Sequence, residues 1–253
     1  MKLYSRFLPL LALSSATIFG ARLEPSDACQ EAPLSAYLNQ GFTCSFATIM
    51  HEGQPYYVTI SQVSFGTDDI GLRQGGVSSR FATPGQIDVV APTSLNDTLG
   101  FRSDLFSIGP GQRALYFFQY VIDPPPPVIP GFDIEMLAFS PVAPGSARVI
   151  VDVCPDGSFS STGCLTPQGI TPIISTVLFH NGGANCDVCK GSLDFDPVSR
   201  LSVRITIDLN TLKGGTSDID GFRTNVAVVT PEPAAWVLGG AGLVLIGLLR
   251  RRR

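Results

Sequence analysis

The chain is predicted to be all-β, an antiparallel β-sandwich ectodomain of jelly-roll-like or immunoglobulin-like kind, and three observations predict it. Leu201, Val203, Ile205, Ile207 and Leu209 are apolar, while Ser202, Arg204, Thr206 and Asp208 between them are polar. That period of two is the mark of a strand with one buried face. Stretches of the same kind recur along the chain, eight or nine in all, each bounded by Gly, Pro, Asn or Asp, as in Asn181-Gly182-Gly183 and Lys213-Gly214-Gly215. Helical periodicity is nearly absent, and only residues 34–40 suggest a short helix.

Taken in order, residues 56–65 and 86–90 read as strands, with 101–108 a weaker one. Residues 114–122 and 132–139 follow, separated by Pro124 to Pro127 and Pro130. Such a proline run is polyproline-like and cannot lie inside a sheet. It reads as a rigid inter-strand loop in one domain, with a linker between two halves as the alternative. Ala147, Val149, Val151 and Val153 alternate with Arg148, Ile150 and Asp152. Residues 173–180, 201–209 and 222–228 complete the set. Strands at this spacing suit a two-sheet sandwich.

Both ends of the chain read as addresses rather than as fold. Lys2 and Arg6 precede an apolar stretch, residues 7–19, followed by small residues. This is the pattern of a secretory signal peptide. Residues 1–21 are assigned to it, with cleavage after Ser14-Ser15-Ala16, near Ala21 or near Ala28 left open. At the other end, residues 234–249 form an uncharged, proline-free apolar run of 16 residues. As a helix it spans about 24 Å, a little under the ~30 Å hydrocarbon core. Trp236 sits at its outer end, where an amphipathic ring suits the interface, and Arg250, Arg251, Arg252 and Arg253 stay on the cytoplasmic side. A single transmembrane helix is therefore expected over 234–249, with residues 22–230 as the exported ectodomain.

The order Pro231-Glu232-Pro233, short apolar helix, arginine-rich end resembles the PEP-CTERM sorting signal of bacterial exosortase substrates. The resemblance covers residues 231–253. It implies an exosortase, a membrane-embedded cysteine protease, as partner. That protease would recognise the Pro-Glu-Pro element, cut near it, and release or transfer the ectodomain to the cell surface. Signal peptidase and, transiently, the inner membrane are the other expected partners. The chain is the substrate of that reaction and supplies no catalytic residue to it. Two prolines keep the segment extended and outside the helix, which exposes it at the membrane face. Leu34, Tyr37, Gly41 and Cys44 also resemble the Leu-x-x-Tyr-x-x-x-Gly-x-x-Cys opening of some exosortase-dependent surface proteins, which implies location and no activity.

Residues 22–230 hold 11 Lys and Arg against 20 Asp and Glu, a net of −9. An acidic body repels phosphate backbones, which argues against nucleic acid as a partner. All six cysteines, Cys29, Cys44, Cys154, Cys164, Cys186 and Cys189, fall in this exported part. An even count outside the cytoplasm points to disulfides, with fifteen connectivities open. Pairing of sequence neighbours is the expectation: Cys29–Cys44, Cys154–Cys164 and Cys186–Cys189. A zinc site at the last four is the weaker reading, because a Cys-x9-Cys pair is not a ribbon spacing. Haem attachment fails, because Lys190 and not His follows Cys189.

No catalytic set emerges, and a non-enzymatic surface or extracellular-matrix protein is the expected function. The two histidines, His51 and His180, sit at a turn and at a strand end. Nucleophile elbow, Walker loop and dinucleotide fingerprint are all missing. The carboxylate pairs Asp68-Asp69, Asp194-x-Asp196 and Asp218-x-Asp220 read as solvated turn residues. Facing each other across a cleft, such pairs could instead serve a glycosidase. Asp218 and Asp220 are the one weak Ca2+ candidate, a fragment of a calcium loop without its downstream Glu; no other cofactor is expected. The alternative function is a carbohydrate-binding module associated with exopolysaccharide, for which Tyr56, Tyr57, Tyr116, Phe117, Phe118 and Tyr120 are the available aromatics. Their place in strands predicts core packing for most of them.

Overall fold

The computed structural model describes residues 27–51, 54–68, 81–90, 97–123, 129–139, 143–182 and 186–227. The signal segment, the Pro-Glu-Pro element, the 234–249 helix, Trp236 and the four terminal arginines lie outside the described residues. Among those described, no helix is long and apolar enough to cross a membrane.

Among the described residues sixteen strands, one short α-helix and a 3-10 turn (Pro84–Gln86) follow in order. They begin with β1 (Ala32–Pro33), α1 (Leu34–Tyr37), β2 (Thr43–His51), β3 (Gln54–Asp68), β4 (Asp88–Val90), β5 (Asp97–Arg102), β6 (Ser107–Ile108), β7 (Arg113–Asp123) and β8 (Ile129–Phe139). They continue with β9 (Ser146–Pro155), β10 (Ser158–Ser160), β11 (Gly163–Thr166), β12 (Gly169–Thr171) and β13 (Ile174–His180). The last are β14 (Lys190–Val198), β15 (Leu201–Asn210) and β16 (Ser217–Ala227).

Thirteen of the strands form two antiparallel sheets face to face. One runs β13-β9-β15-β7-β3-β2; the other runs β1-β4-β5-β16-β8-β14, with β6 also on β16. The alternation read from the sequence decides which side of each strand faces in. Leu201, Val203, Ile205, Ile207 and Leu209 are all fully buried, as are Ala147, Val149, Val151 and Val153 on the neighbouring strand. A one-residue slip would turn each such set outward, so the ten-residue register of β15 on both β7 and β9 is strongly specified.

The sheets meet through aromatics. Phe101 of β5 lies 4.8 Å from Phe118 of β7, ring centre to ring centre, and Phe118 lies 5.3 Å edge-on from Phe222 of β16. Beside them Tyr120 shares a 3.0 Å hydrogen bond with Thr224 Oγ1, which donates in turn to the Leu99 carbonyl at 2.6 Å. These buried polar groups are therefore satisfied, as burial requires. Strands β7 and β8, on either side of the proline run, belong to opposite sheets; residues 124–128 themselves lie outside the described residues.

All three disulfides join sequence neighbours: Cys29–Cys44, Cys154–Cys164 and Cys186–Cys189. The zinc alternative is thereby corrected, since its four sulfurs are spent on covalent pairs. Cys29–Cys44 ties the segment before α1 to β2, and α1 closes over the core with Leu34 and Tyr37 buried.

A third, smaller sheet, β10-β11-β12, is a meander inserted between β9 and β13. It lies against the outer face of the six-stranded sheet. Cys154–Cys164 anchors it, Ser202 Oγ donates to the Gly157 carbonyl at 2.6 Å, and the Arg204 guanidinium sits 4.6 Å above the Phe159 ring. Cys154 and Ser202, whose alternation points them outward, are buried beneath it.

Candidate functional site

Among the described side chains the strand aromatics do not form a sugar platform; that of Tyr56 lies outside those described. Tyr116, Phe118 and Tyr120 are buried between the sheets, and Phe117 is half-buried on the opposite face of β7. Burial holds the Tyr116 hydroxyl above its ordinary pKa, and its oxygen receives the Ala82 N–H at 3.5 Å. Tyr57 is half-buried in β3.

His180 closes β13 with its ring buried and Nδ1 3.8 Å from Asp187 Oδ2, an interior strand-end residue. His51 pairs with Gln54 in the β2–β3 hairpin. Asp218 and Asp220 lie in β16 rather than in a loop; Asp218 pairs with Ser107 of β6, and the Asp220 carbonyl receives the Ser103 N–H at 3.0 Å. An extended strand does not by itself wrap carboxylates around an ion. Among the described residues no group of three potential ligands converges.

Two concavities among the described residues are candidate binding sites. The first, about 350 Å³, lies on the outer face of the seven-stranded sheet and is lined by Asp133, Glu135, Lys190, Ser192 and Asn225, among others. Its charges are already used on one another. Glu135 receives Lys190 at 2.9 Å and Arg223 at 2.6 Å, and these two cations, Lys190 first, hold its carboxyl below the ordinary glutamate range. Asp133 receives Ser192 Oγ at 2.5 Å. A ligand entering here would have to break these pairs.

The second is an open groove of about 570 Å³ where β13 and β14, the outermost strands of the two sheets, come together beside the meander. Its apolar floor is Pro155, Ile174, Phe195 and Val198, with Pro172 at the margin. Its polar rim is Thr166, Gln168 and Thr171 from the meander, with Asp156 and Asp196.

A β-bulge builds this floor. Strand β14 pairs with β8 regularly from Lys190 to Asp194, loses register, and resumes at Val198. Pro197 cannot donate to the ladder, so it is tolerated on an edge strand or at such a bulge, and here both hold. Phe195 and Asp196 are freed from pairing and turned into the groove. Across from them Asp156 takes a positive φ of 48° at the β9–β10 turn. Its Oδ1 receives Ser199 N–H at 2.9 Å, Ser199 Oγ at 3.2 Å and Arg200 N–H at 3.2 Å, fixing that rim.

Phe195 was not singled out from the sequence. Its signal was an aromatic between two carboxylates just before a proline, Asp194-Phe195-Asp196-Pro197. Asp196 reads from the sequence as a turn carboxylate, with a glycosidase pair as the alternative.

No protein-family model matches the chain, and no curated protein matches it at a significant level. Among solved structures it is similar to TmCBM61 in complex with β-1,4-galactotriose, at 9% identity over 63% of this chain and 86% of that one, with a TM-score of 0.30. It is also similar to the enzymatically active domain of bacteriophage CBA120 tailspike protein 4, at 14% identity and TM-score 0.29, covering 64% of this chain and 19% of that one. The xylan-binding module CBM15 matches at 11% identity and TM-score 0.21, over 65% of this chain and 99% of that one. At such scores these likenesses fix neither ligand nor activity.

Proposed function

We propose that this chain is an exported, non-enzymatic surface or matrix protein whose β-sandwich binds a polysaccharide in the groove between β13 and β14. The Phe195 floor carries the reading. A sugar ring offers an apolar C–H face and a rim of hydroxyls. A half-buried aromatic with aliphatic neighbours receives the first, and Thr166, Gln168, Thr171 and Asp196 meet the second. The groove is open rather than closed, which suits a segment of polymer passing through. Asp156 spends one carboxylate oxygen on three local donors, which holds the rim in place.

The test is binding of neutral glycan oligomers by the folded ectodomain and by Phe195→Ala. The substitution is expected to cost about 2 kcal/mol, near 30-fold in Kd. Silence of the parent protein across diverse glycans would refute the reading, and so would hydrolysis of any bound oligomer.

Delivery to the surface rests on the tail. Pro231, Glu232 and Pro233, the apolar run and the terminal arginines support sorting by an exosortase. Expressed with its exosortase the protein should lose the tail; without it the tail should persist in the inner membrane. A tail retained in both hosts removes this part of the proposal and leaves the glycan reading standing.

A further inference from the structure

We propose that the groove selects glycans by charge, favouring amine-bearing sugars, accepting neutral ones and rejecting uronate or sulfated ones. This rests on the glycan reading above and names the substrate class of the same site. The cavity and its Phe195 floor make the site; its carboxylates set the preference.

Asp156 and Asp196 are both exposed at the rim, and none of the lining residues is Lys, Arg or His. The nearby cations are committed elsewhere. Arg200 reaches Asp123 at 3.3 Å, and Arg204 reaches Asp152 at 2.6 Å. The three donors on Asp156 all meet Oδ1, and its Oδ2 receives no hydrogen bond from the described residues. Asp194, exposed, adds a third negative charge two residues before Asp196.

A neutral sugar can donate hydroxyl hydrogens to these oxygens. A protonated sugar amine donates and also neutralises charge, which makes the shorter and stronger bond. A uronate carboxylate or a sulfate has no donor to offer them and meets like charge at close range. The net −9 of residues 22–230 adds repulsion at longer range, screened by salt.

The experiment is calorimetric titration of the folded ectodomain at low salt, with the amines protonated. Hexamers of glucosamine, N-acetylglucosamine, β-1,4-glucose and galacturonate are the probes. We expect the glucosamine hexamer to bind tighter than the neutral ones by about 2- to 5-fold per carboxylate engaged, converging in high salt, and galacturonate not to bind. Asp196→Asn should erase most of that advantage while leaving the neutral hexamers within about twofold. Asp104→Asn, at an exposed turn carboxylate outside the groove, should change nothing.

Three results overturn the inference. One is galacturonate binding as well as glucosamine. Another is an Asp196→Asn variant that keeps the full amine preference. The third is an Asp104→Asn variant that loses as much of it as Asp196→Asn, which would mean attraction to the acidic body at large. In each case neutral binding lost on Phe195→Ala would leave the glycan reading intact. Binding of none of the four by the parent protein sinks both.

Discussion

At the scale of single residues, Gly221 shows how close the two neighbours of a central strand can come. It sits inside β16 between Arg102 of β5 and Leu137 of β8, at φ +150°. A Cβ there would overlap the Phe101 carbonyl oxygen, which is backbone and cannot swing away. Gly221→Ala should therefore destabilise the fold by about 3 kcal/mol. Urea unfolding should show a lower midpoint at unchanged slope; an unchanged midpoint would contradict the packing described.

Glu135 makes a second residue-scale prediction. Lys190 and then Arg223 hold its carboxyl below the ordinary range in the folded state. Its contribution is thus fully present above the unfolded-state value and is lost as pH falls through the lowered folded value. The stability gap between parent and Glu135→Gln should be constant near neutrality and shrink below about pH 4. A gap independent of pH down to acid unfolding would refute the pairing.

At the scale of elements, the meander β10-β11-β12 is the piece whose attachment matters most to the groove. It buries little of its own: Leu165 and Ile170, cross-strand partners, are 50% and 61% exposed. It is held by the Cys154–Cys164 disulfide, the Ser202–Gly157 hydrogen bond and the Arg204–Phe159 contact. Gly157 lies directly over the sulfurs, where a Cβ would come within 2.9 Å of Cys154 Sγ. Cys154→Ser with Cys164→Ser should cost about 2–3 kcal/mol through the freed ten-residue loop. Amide exchange should rise first in residues 158–171 while β15 stays protected. Glycan affinity should fall with it, because Thr166, Gln168 and Thr171 come from this element. Uniform loss of protection would mean that the meander is part of the core rather than an attachment.

The same scale explains which strands were legible. Strands β7, β9, β13 and β15 carry clear alternation or dense β-branched and aromatic content, and each was expected within a few residues. Strand β3 was expected over 56–65 and runs from Gln54 to Asp68, broken by a bulge at Gln62, whose φ is +53°. Residues 101–108 divide between β5 and β6, because a turn at Asp104-Leu105 interrupts them. Residues 34–40 shorten to α1, and 86–90 divide between the last residue of the 84–86 3-10 turn and β4. Strands β2, β14 and the meander were not read as strands. Strand β14 mixes Gly191, Pro197 and three charged residues, because an edge strand with one face in water does not need the apolar density of a central one.

At the scale of the whole molecule, the described residues form one core. Buried side chains from both sheets, from α1 and from the segment before it belong to a single cluster. Three disulfides add covalent closure to an acidic body and leave no free cysteine. Protein recovered from its native compartment should resist alkylation until reduced and should gain six hydrogens on reduction, read by intact mass. The same measurement reports both termini, and so tests signal and tail processing. Native protein with six reactive thiols would overturn the export reading.

The amino-acid order by itself determined the all-β class, the inward faces of β9 and β15 and the acidic net charge, and it favoured neighbour pairing of the cysteines. These are local properties: a period of two needs only nearby residues, and a short loop between cysteines closes at little entropic cost. Tertiary structure decided that Tyr116, Phe118 and Tyr120 face the opposite sheet, and that Phe195, Asp196 and Asp156 share one groove with the meander. Those outcomes depend on which distant strands pair and on where a bulge breaks register. Residues 156, 166 and 195 meet only because the outermost strands of two sheets end side by side, and no local pattern encodes that meeting.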